Sequence, residues 1–199
     1  MTDFLGREPL KLDLGCGSTK RGPDYVGVDL LAGEGVDVVG DALEVLRSLP
    51  DDRVAEIYTS HFLEHVEDLT ALLLEVERVL VPGGPLVAHV PHFSNPYFFS
   101  DPTHRRTFGL YTFSYYADDQ TLRRRVPNYG HETRLLLERV ELVFRSASEF
   151  RRRGRMKALA GRLVNRNSWT QEFYEENLPW IFPCYEIRTT LRKRHDAER

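Results

Sequence analysis

Short apolar runs and one long amphipathic stretch organise the first half of the chain. Each run is bounded by glycine, proline or acidic residues, which is typical of buried strands. We predict strands at residues 11–14, 25–30, 36–39, 54–59 and 85–90. Between the last two, apolar residues keep helical spacing within residues 60–84, at Leu69, Leu72, Leu73, Val76, Val79 and Leu80. Strands that alternate with a helix indicate an α/β fold with a mainly parallel sheet.

The links between the first strands are too short for ordinary crossover helices. A parallel crossover usually takes a dozen or more residues, whereas about eight separate Gly17 from Tyr25, and fewer separate Leu30 from Val36. Residues 42–49 offer one or two helical turns. The predicted fold class is therefore a Rossmann-like, three-layer α/β arrangement with a mostly parallel sheet and shortened first helices.

The pattern changes after Pro91. Residues 92–130 are rich in aromatic residues, proline, serine and asparagine, and their pattern is typical of neither helix nor strand. A loop that leaves the carboxyl end of a strand in an open α/β sheet lies over the ligand crevice, so this segment is a candidate lid or substrate wall. The alternative is that its aromatic residues pack a satellite core beneath a long loop, and both can hold.

The last third of the chain has a less regular pattern. Its predicted elements are a strand pair or one long bent strand at 133–144, a basic helix at 155–164 and a closing antiparallel strand at 184–191. No repeat, low-complexity tract or linker interrupts the sequence, so we expect residues 1–199 to form a single domain.

The net charge of −3 hides an asymmetry between the two halves. Residues 1–100 carry 7 Lys and Arg against 17 Asp and Glu, a net of −10, whereas residues 101–199 carry 20 against 13, a net of +7. The basic residues concentrate at 123–125 and 151–157. Such clusters are more often solvated faces than binding sites, but they can steer an anionic substrate.

Composition excludes several classes of protein. Hydrophobic residues make up 41% and charged residues 29% of the chain, and no run approaches the ~18 apolar residues of a membrane span. Residues 1–9 lack the charged-then-apolar signature of a secretory signal. We therefore expect a cytoplasmic protein with no membrane partner, in which Cys16 and Cys184 are reduced thiols.

Residues 11–18, KLDLGCGS, join a predicted strand to a glycine turn. Gly15 and Gly17 let the backbone approach a ligand closely, and Asp29 ends the next strand, where a carboxylate can accept hydrogen bonds from ribose hydroxyls. A dinucleotide fingerprint needs a third glycine where Lys20 stands and an acid about 20 residues on, whereas Asp29 follows Gly17 by 12 residues. NAD is therefore disfavoured.

The order of several motifs carries a family resemblance. LDLGCG, VGVDL, GDALE, TSHFLEHV and RVLVPGGPL, all within residues 10–91, resemble the landmarks of the class I S-adenosylmethionine-dependent methyltransferases. More narrowly, Leu63, Glu64 and His65, together with SDPTHRRTF at 100–108, are similar to a branch of small bacterial methyltransferases. The resemblance implies S-adenosylmethionine as the cofactor and methyl transfer as the activity.

The resemblance also implies a division of the chain and a set of site residues. Residues 10–91 would form the cofactor-binding core, 92–130 the lid and 131–199 the C-terminal strands and helix. The glycine turn would wall the methionine part of the cofactor, Asp29 would bind the ribose and Asp41 would approach the adenine. The implied cofactor-binding residues are Asp13, Gly15, Cys16, Gly17, Asp29, Leu30, Asp41, Ala42, Ser60 and His61.

Methylation of a hydroxyl requires a group that takes the proton of the acceptor, and histidine titrates in the useful range. His61 follows the fourth predicted strand and His104 lies in the candidate lid, so we predict these two as catalytic, with Asp101 orienting or sharing a proton. His92 is a further candidate. His65 and His89 fit structural roles better, the first at the long helix and the second in a strand.

A metal site is not predicted. His61 and His65 are four residues apart with Glu64 between them, which matches the spacing of an inverted zinc-protease motif. No third ligand is evident downstream in the sequence, and the cofactor landmarks explain the same residues without a metal.

The expected acceptor is a small molecule or a glycan-linked group, methylated on oxygen, and the basic second half favours an anionic one. A non-catalytic protein that keeps the pocket and binds nucleic acid or a protein partner stays an alternative, as does an RNA or protein methyltransferase. Nucleic acid is the less favoured acceptor because no Asn/Asp-Pro-Pro-Tyr signature follows Thr59. Oligomeric state is left open.

Overall fold

The computed structural model describes residues 9–130, 133–146 and 151–195, in which seven strands form one sheet. In chain order, the strands are β1 Leu10–Leu14, β2 Val26–Asp29, β3 Val38–Val39, β4 Val54–Ser60, β5 Pro85–Pro91, β6 Leu135–Val143 and β7 Glu186–Lys193. Their order across the sheet is β3-β2-β1-β4-β5-β7-β6, in which the first five are parallel and β7 runs antiparallel to both β5 and β6. The predicted mostly parallel α/β sheet with an antiparallel C-terminal part is confirmed.

Four helices accompany the sheet in the described residues. They are α1 Ala42–Arg47, α2 Leu69–Val79, α3 Arg151–Val164 and α4 Ser168–Asn177. The apolar stripe predicted for the long helix is buried in α2 and at Leu80, the residue that ends it. No helix among the described residues is long and apolar enough to span a membrane. Residues 1–8, most of the stretch without a secretory signature, lie outside the described residues.

The long helix begins at Leu69, nine residues later than residue 60, where the predicted stretch starts. Asp68 caps it by accepting a hydrogen bond from the Ala71 amide at 2.9 Å. The preceding residues form one 3₁₀ turn at Leu63–His65, and Val66 is extended. This turn places the Glu64 side chain in the interior, where it is 1% exposed.

Two loops replace the helices that normally follow β1 and β2. The β1–β2 link makes no helix, and neither does the β2–β3 link, as the sequence predicts. The loops pack directly on each other, because a Cβ at Gly35 would lie 2.9 Å from both the Ser18 carbonyl oxygen and the Lys20 amide nitrogen. Lys20 Nζ also pairs with Asp37 Oδ2 at 2.6 Å, which fixes the first loop to the second.

The segment 92–130 is irregular, as predicted, and contains 3₁₀ turns at Phe98–Ser100 and Thr112–Tyr116. Phe108 and Phe113 are 0% and 1% exposed and stack with ring centroids 5.7 Å apart, so part of the segment does pack a core. The tip differs, since Tyr97 and Phe99 are 56% and 70% exposed.

The C-terminal part contains one element that the sequence did not predict. Residues 133–144, predicted as a strand pair or one bent strand, form the single strand β6 with a register shift between Leu137 and Arg139. Helix α4 was missed, although Asn167 and Thr170 form a capping box that could have indicated its start. Cys16 and Cys184 are both free thiols.

Candidate active site

The glycine turn, the acid after β2 and the residues after β4 meet at one edge of the sheet. Leu14, the last residue of β1, pairs with Val28 on one side and Thr59 on the other. Because parallel strands end at the same edge, the structure brings Gly15, Asp29 and Ser60 together there.

Gly15 turns the chain away from β1 in a left-handed conformation with φ +67°. Its amide donates to the Val28 carbonyl at 2.8 Å, and a Cβ at this position would lie 2.4 Å from the Phe62 ring. Only glycine therefore fits beneath Phe62. Phe62 is a wall of the site that sequence reasoning missed, because nothing in its local pattern reveals this contact.

Asp29 clamps the glycine turn. Its Oδ2 accepts from the Gly17 amide at 2.8 Å, and its Oδ1 accepts from the Leu31 amide at 2.9 Å. Each carboxylate oxygen has a further lone pair, so the half-buried group can still accept from ligand hydroxyls. Leu30 and Leu31 beside it are 68% and 74% exposed, which gives the site an apolar surface.

Asp41 and Ala42 follow β3 close to this edge, where the Gly40 amide donates to the Asp29 carbonyl at 2.9 Å. Asp41 Oδ1 caps α1 by accepting from the Leu43 and Glu44 amides at 2.9 and 3.1 Å. Ala42 is 7% exposed. Their assignment to the adenine end stays a prediction.

Asp13 organises the loop after the turn. It is 3% exposed, and its Oδ2 accepts from the Arg21 amide at 2.7 Å. Burial raises the pKa of this carboxyl to about 6, against the opposing effect of the Arg21 amide. Burial also raises the pKa of the Cys16 thiol to about 11, assisted by Asp13 and Asp29, so the thiol is protonated at neutral pH.

His61 adopts a left-handed backbone conformation with φ +54° immediately after β4. Its Nε2 lies 3.2 Å from Oε2 of Glu186, a carboxylate that is 2% exposed. The hydrogen bond to Glu186, followed by the proximity of Glu64, raises the pKa of His61 to about 9. The side chain is therefore an imidazolium at neutral pH and has no lone pair with which to act as a base. Its catalytic role stays a prediction.

The lid also contacts the 3₁₀ turn that follows β4. The Arg105 amide donates to the Glu64 carbonyl at 2.8 Å, which brings the His104 ring to 4.9 Å from the His65 ring. Asp101 accepts from the Thr103 hydroxyl at 2.6 Å, and its Oδ2 lies 3.7 Å from His104 Nε2. The predicted catalytic residue His104 thus lies close to Glu64, as His61 does, and Asp101 lies beside His104.

Two other histidines have roles in packing. His92 is 0% exposed, and its Nε2 lies 2.9 Å from Glu175 Oε2. Its Nδ1 accepts from the Ser94 amide at 3.1 Å, so both nitrogens are used inside the protein. Burial lowers the pKa of His89, whose Nδ1 contacts the Tyr58 hydroxyl at 3.3 Å.

The groups at this edge fit S-adenosylmethionine better than a phosphate-bearing cofactor. Asp29 offers acceptors for ribose hydroxyls, and the exposed Leu30 and Leu31 offer an apolar surface for a base. No helix N-terminus follows the glycine turn to receive a pyrophosphate, and Lys20 is paired with Asp37.

A comparison with protein families identifies the first part of the chain. Residues 12–88 match the model of a family described as a methyltransferase domain. This range spans β1 to β5 and includes the glycine turn, Asp29 and His61. A search of the curated proteins found no match.

Solved structures share the fold over nearly the whole chain. A SAM-dependent methyltransferase from Archaeoglobus fulgidus is 21% identical with a TM-score of 0.58, and the match covers 96% of this chain and 88% of that one. The YcgJ protein from Bacillus subtilis is 17% identical with a TM-score of 0.55, covering 93% and 92%. Phosphoethanolamine N-methyltransferase 2 from Haemonchus contortus, solved in complex with S-adenosyl-L-methionine, is 13% identical with a TM-score of 0.51, covering 92% and 48%.

Proposed function

This chain carries the methyltransferase domain and the fold of the class I S-adenosylmethionine-dependent methyltransferases, and we propose that it methylates an oxygen of a small-molecule or glycan-linked acceptor. The observation that carries the proposal is the Arg105–Glu64 hydrogen bond of 2.8 Å, which holds the lid over the carboxyl end of β4. It places ionisable side chains and an aromatic surface beside the edge that holds the glycine turn and Asp29.

When bound, S-adenosylmethionine supplies a methyl group bonded to a positively charged sulfur. The sulfur is the leaving group and departs as a neutral thioether. The acceptor oxygen forms a bond to the methyl carbon as the carbon–sulfur bond breaks, and the hydroxyl proton is lost. Alignment can supply on the order of 7–11 kcal/mol of such a reaction in favourable cases. For a hydroxyl acceptor, the protein must also supply a group that accepts this proton.

His104 of the lid can accept this proton. His104 Nδ1 lies 2.9 Å from the Phe98 carbonyl oxygen, which can only accept, so this nitrogen carries a hydrogen and the neutral ring has its lone pair on Nε2. A hydroxyl acceptor positioned at Nε2 can be activated there. An amine that reaches the site already neutral would not require such a group, and this difference favours methylation of oxygen.

The tip of the lid suggests the class of acceptor. Tyr97 and Phe99 flank Phe98 and present large aromatic surfaces to solvent, and Phe98 itself packs on His104 with ring centroids 4.7 Å apart. Exposed aromatic faces next to polar groups suit a ring that is apolar on its faces and polar at its edge, such as a sugar. The net charge of +7 over residues 101–199 favours an acceptor that also carries an anionic group.

Calorimetry with S-adenosylmethionine and with its demethylated product tests the cofactor. We expect both to bind with one site per chain, and no binding of either at millimolar concentration would exclude the proposed function. Transfer of labelled methyl groups to matched pairs of sugars and amino sugars tests the acceptor. Labelling of the hydroxyl compounds supports the proposal, whereas labelling of amino groups alone contradicts methylation of oxygen.

The variant His104→Ala separates catalysis from cofactor binding. We expect turnover to fall by about 10²–10⁴-fold, as for the loss of a group that assists proton transfer, while the affinity for S-adenosylmethionine changes little. His195→Ala is the control, because His195 is exposed and packs on Gly83 away from the lid. Equal turnover of the two variants would remove His104 from the mechanism.

A further inference from the structure

Glu64 is a buried carboxylate whose charge is not balanced by hydrogen bonds. Its side chain is 1% exposed, and neither oxygen has a hydrogen-bond partner among the described residues. His61 Nδ1 lies 3.4 Å from Oε1, but without hydrogen-bond geometry. A carboxylate taken out of water is costly unless hydrogen-bond donors or a cation meet it. The His61 imidazolium lies near Oε1, whereas Oε2 has no hydrogen-bond partner among the described residues and can accept a second positively charged group.

The first neighbour of Glu64, His65, makes a hydrogen bond that fixes which of its ring nitrogens has the lone pair. The Thr103 hydroxyl donates its hydrogen to Asp101 Oδ1 at 2.6 Å, because a carboxylate only accepts. The same hydroxyl oxygen lies 2.9 Å from His65 Nδ1 and must therefore accept from it. In the neutral ring, this arrangement places the hydrogen on Nδ1 and the lone pair on Nε2.

The second neighbour, His104, is held in the same way by a different group. Its Nδ1 donates to the Phe98 carbonyl at 2.9 Å, which also leaves the lone pair on Nε2. Histidines that bind metal ions in proteins almost always donate their other ring hydrogen to a carbonyl, a carboxylate or a similar acceptor. Two such histidines beside a buried carboxylate that makes no side-chain hydrogen bond to the described residues therefore have the supporting contacts of a metal site.

One ligand atom from each of Glu64, His65 and His104 lies within 4.8 Å of the other two. Atoms that bind one tetrahedral ion at about 2.0–2.2 Å lie about 3.3–3.6 Å apart, so the widest pair in the cluster has to close by up to about 1.5 Å when the ion binds. Two imidazoles and one carboxylate are a ligand set of catalytic zinc and of related divalent transition metals.

We propose that Glu64, His65 and His104 bind a divalent transition-metal ion of the zinc class. Two ligands come from the 3₁₀ turn after β4 and the third comes from the lid, so the ion fastens the lid over the site. The sequence alone did not reveal this set, because the third ligand lies 39 residues beyond His65 and follows no spacing rule.

The role of the ion rests on the proposed function, whereas its binding does not. Three protein ligands leave a coordination position open, and a bound divalent ion lowers the pKa of a water or hydroxyl at that position. An acceptor hydroxyl at that position would release its proton to water as its oxygen forms the bond to the methyl carbon. The Nε2 lone pair of His104 would then hold the ion, so the direct proton transfer to His104 described above applies to the metal-free protein.

Titration of the chelator-treated, dialysed protein with Zn²⁺ in a calorimeter tests the site. We expect one ion per chain, an affinity at least 100-fold lower in His104→Ala, and an unchanged affinity in His195→Ala. Thr103→Val tests the supporting contact and should weaken binding by about 10–100-fold. Absence of one-site binding, or equal affinity in wild type and His104→Ala, would overturn the proposal.

Glu64→Gln guards against a purely structural explanation. It keeps the volume of the side chain and removes its charge, so Zn²⁺ binding should be lost while circular dichroism in chelator shows the same folded state as the wild type. Retained Zn²⁺ binding in this variant would contradict the assignment. Binding of S-adenosylmethionine, measured separately in chelator, reports on the proposed function, so a failure of one can be told from a failure of the other.

Discussion

The amide of Gly17 donates to Asp29 Oδ2 at 2.8 Å and so ties the glycine turn to the end of the neighbouring strand. Asp37, in the β2–β3 link, has a similar role: its Oδ2 accepts from the Gly27 amide of β2 at 2.8 Å and pairs with Lys20 of the β1–β2 link. The two carboxylates thus hold the β1–β2 and β2–β3 links against the sheet in the absence of helices there. They differ in that Asp29 lies at the edge of the sheet where we place the cofactor.

Asp29→Asn should weaken the binding of S-adenosylmethionine by about 10–100-fold, because hydrogen bonds to a charged acceptor typically contribute about 1.5–3 kcal/mol. Calorimetric titration measures the effect. Asp37→Asn is the matched control, since it disturbs an equivalent clamp that does not face the ligand. Equal losses in the two variants would mean that Asp29 acts only by holding the turn.

Local signals are sufficient to predict the strands and the meeting of the glycine turn with Asp29 at one edge of the sheet. The glycine turn and Asp29 lie within one strand–turn–strand unit, whose geometry follows from residues close together in the chain. The cluster at Glu64 depends instead on where the lid settles, and the Arg105–Glu64 hydrogen bond joins residues 41 positions apart. Neither periodicity nor spacing can reveal such a contact.

The helices show a different limit of prediction. Helix α2 has five buried apolar positions in a clear stripe, and this pattern predicts the helix. It does not predict the start of the helix at Leu69. In α4, Trp169 and Phe173 are 52% and 46% exposed, whereas the polar Gln171 is 8% exposed. Because apolar residues face water and a polar one is buried, the pattern of α4 does not indicate a core-facing helix.

Glu175 of α4 holds the lid to the sheet. Its Oε1 accepts from the Leu110 amide at 2.7 Å, and its Oε2 lies 2.9 Å from the buried His92 Nε2. Glu175→Gln would place an amide donor against one of these donors, and we expect it to lower the free energy of unfolding by about 1–3 kcal/mol. Urea denaturation measures the change.

The neighbouring Glu176 is exposed and supplies the control for that experiment. Glu176→Gln should leave the urea midpoint within the error of wild type. If Glu175→Gln were as stable as Glu176→Gln, the contact between α4 and the end of β5 would not contribute to stability.

Gly27 is a position where the two loops that replace the first helices allow no side chain. Its Cβ would lie 2.2 Å from the Gly35 carbonyl oxygen and 2.8 Å from Cys16 Sγ. Gly27→Ala should therefore destabilise the protein by about 1–3 kcal/mol, as overpacking does, and should weaken cofactor binding because the turn is displaced. Thermal melting and calorimetry measure the two effects.

Gly154→Ala gives the opposite expectation and is the control for Gly27→Ala. Gly154 lies within α3, and a Cβ there would meet nothing within 4 Å. Alanine is favoured over glycine in a helix by about 0.5–1 kcal/mol, so this variant should melt slightly higher. Similar melting temperatures for the two variants would contradict the close packing of the loops.

Asp13 makes stability depend on pH in an unusual direction. Its pKa is about 6 in the folded protein against 3.8 for an ordinary aspartate, so between these values the folded state binds more protons than the unfolded state. Stability contributed by this group is therefore lost as pH rises from about 4 to about 6, and the loss is at most about 3 kcal/mol.

Asp13→Asn removes the buried charge and keeps an oxygen that can accept from the Arg21 amide. The free energy of unfolding of the variant, relative to wild type, should therefore be higher at pH 8 than at pH 4, as measured by urea denaturation at both values. Asp24→Asn is the control, because the hydrogen bond from Lys11 lowers the pKa of Asp24 and its loss should cost more at pH 8 than at pH 4. A difference between Asp13→Asn and wild type that does not change with pH would show that the Asp13 carboxyl titrates normally and that burial does not raise its pKa.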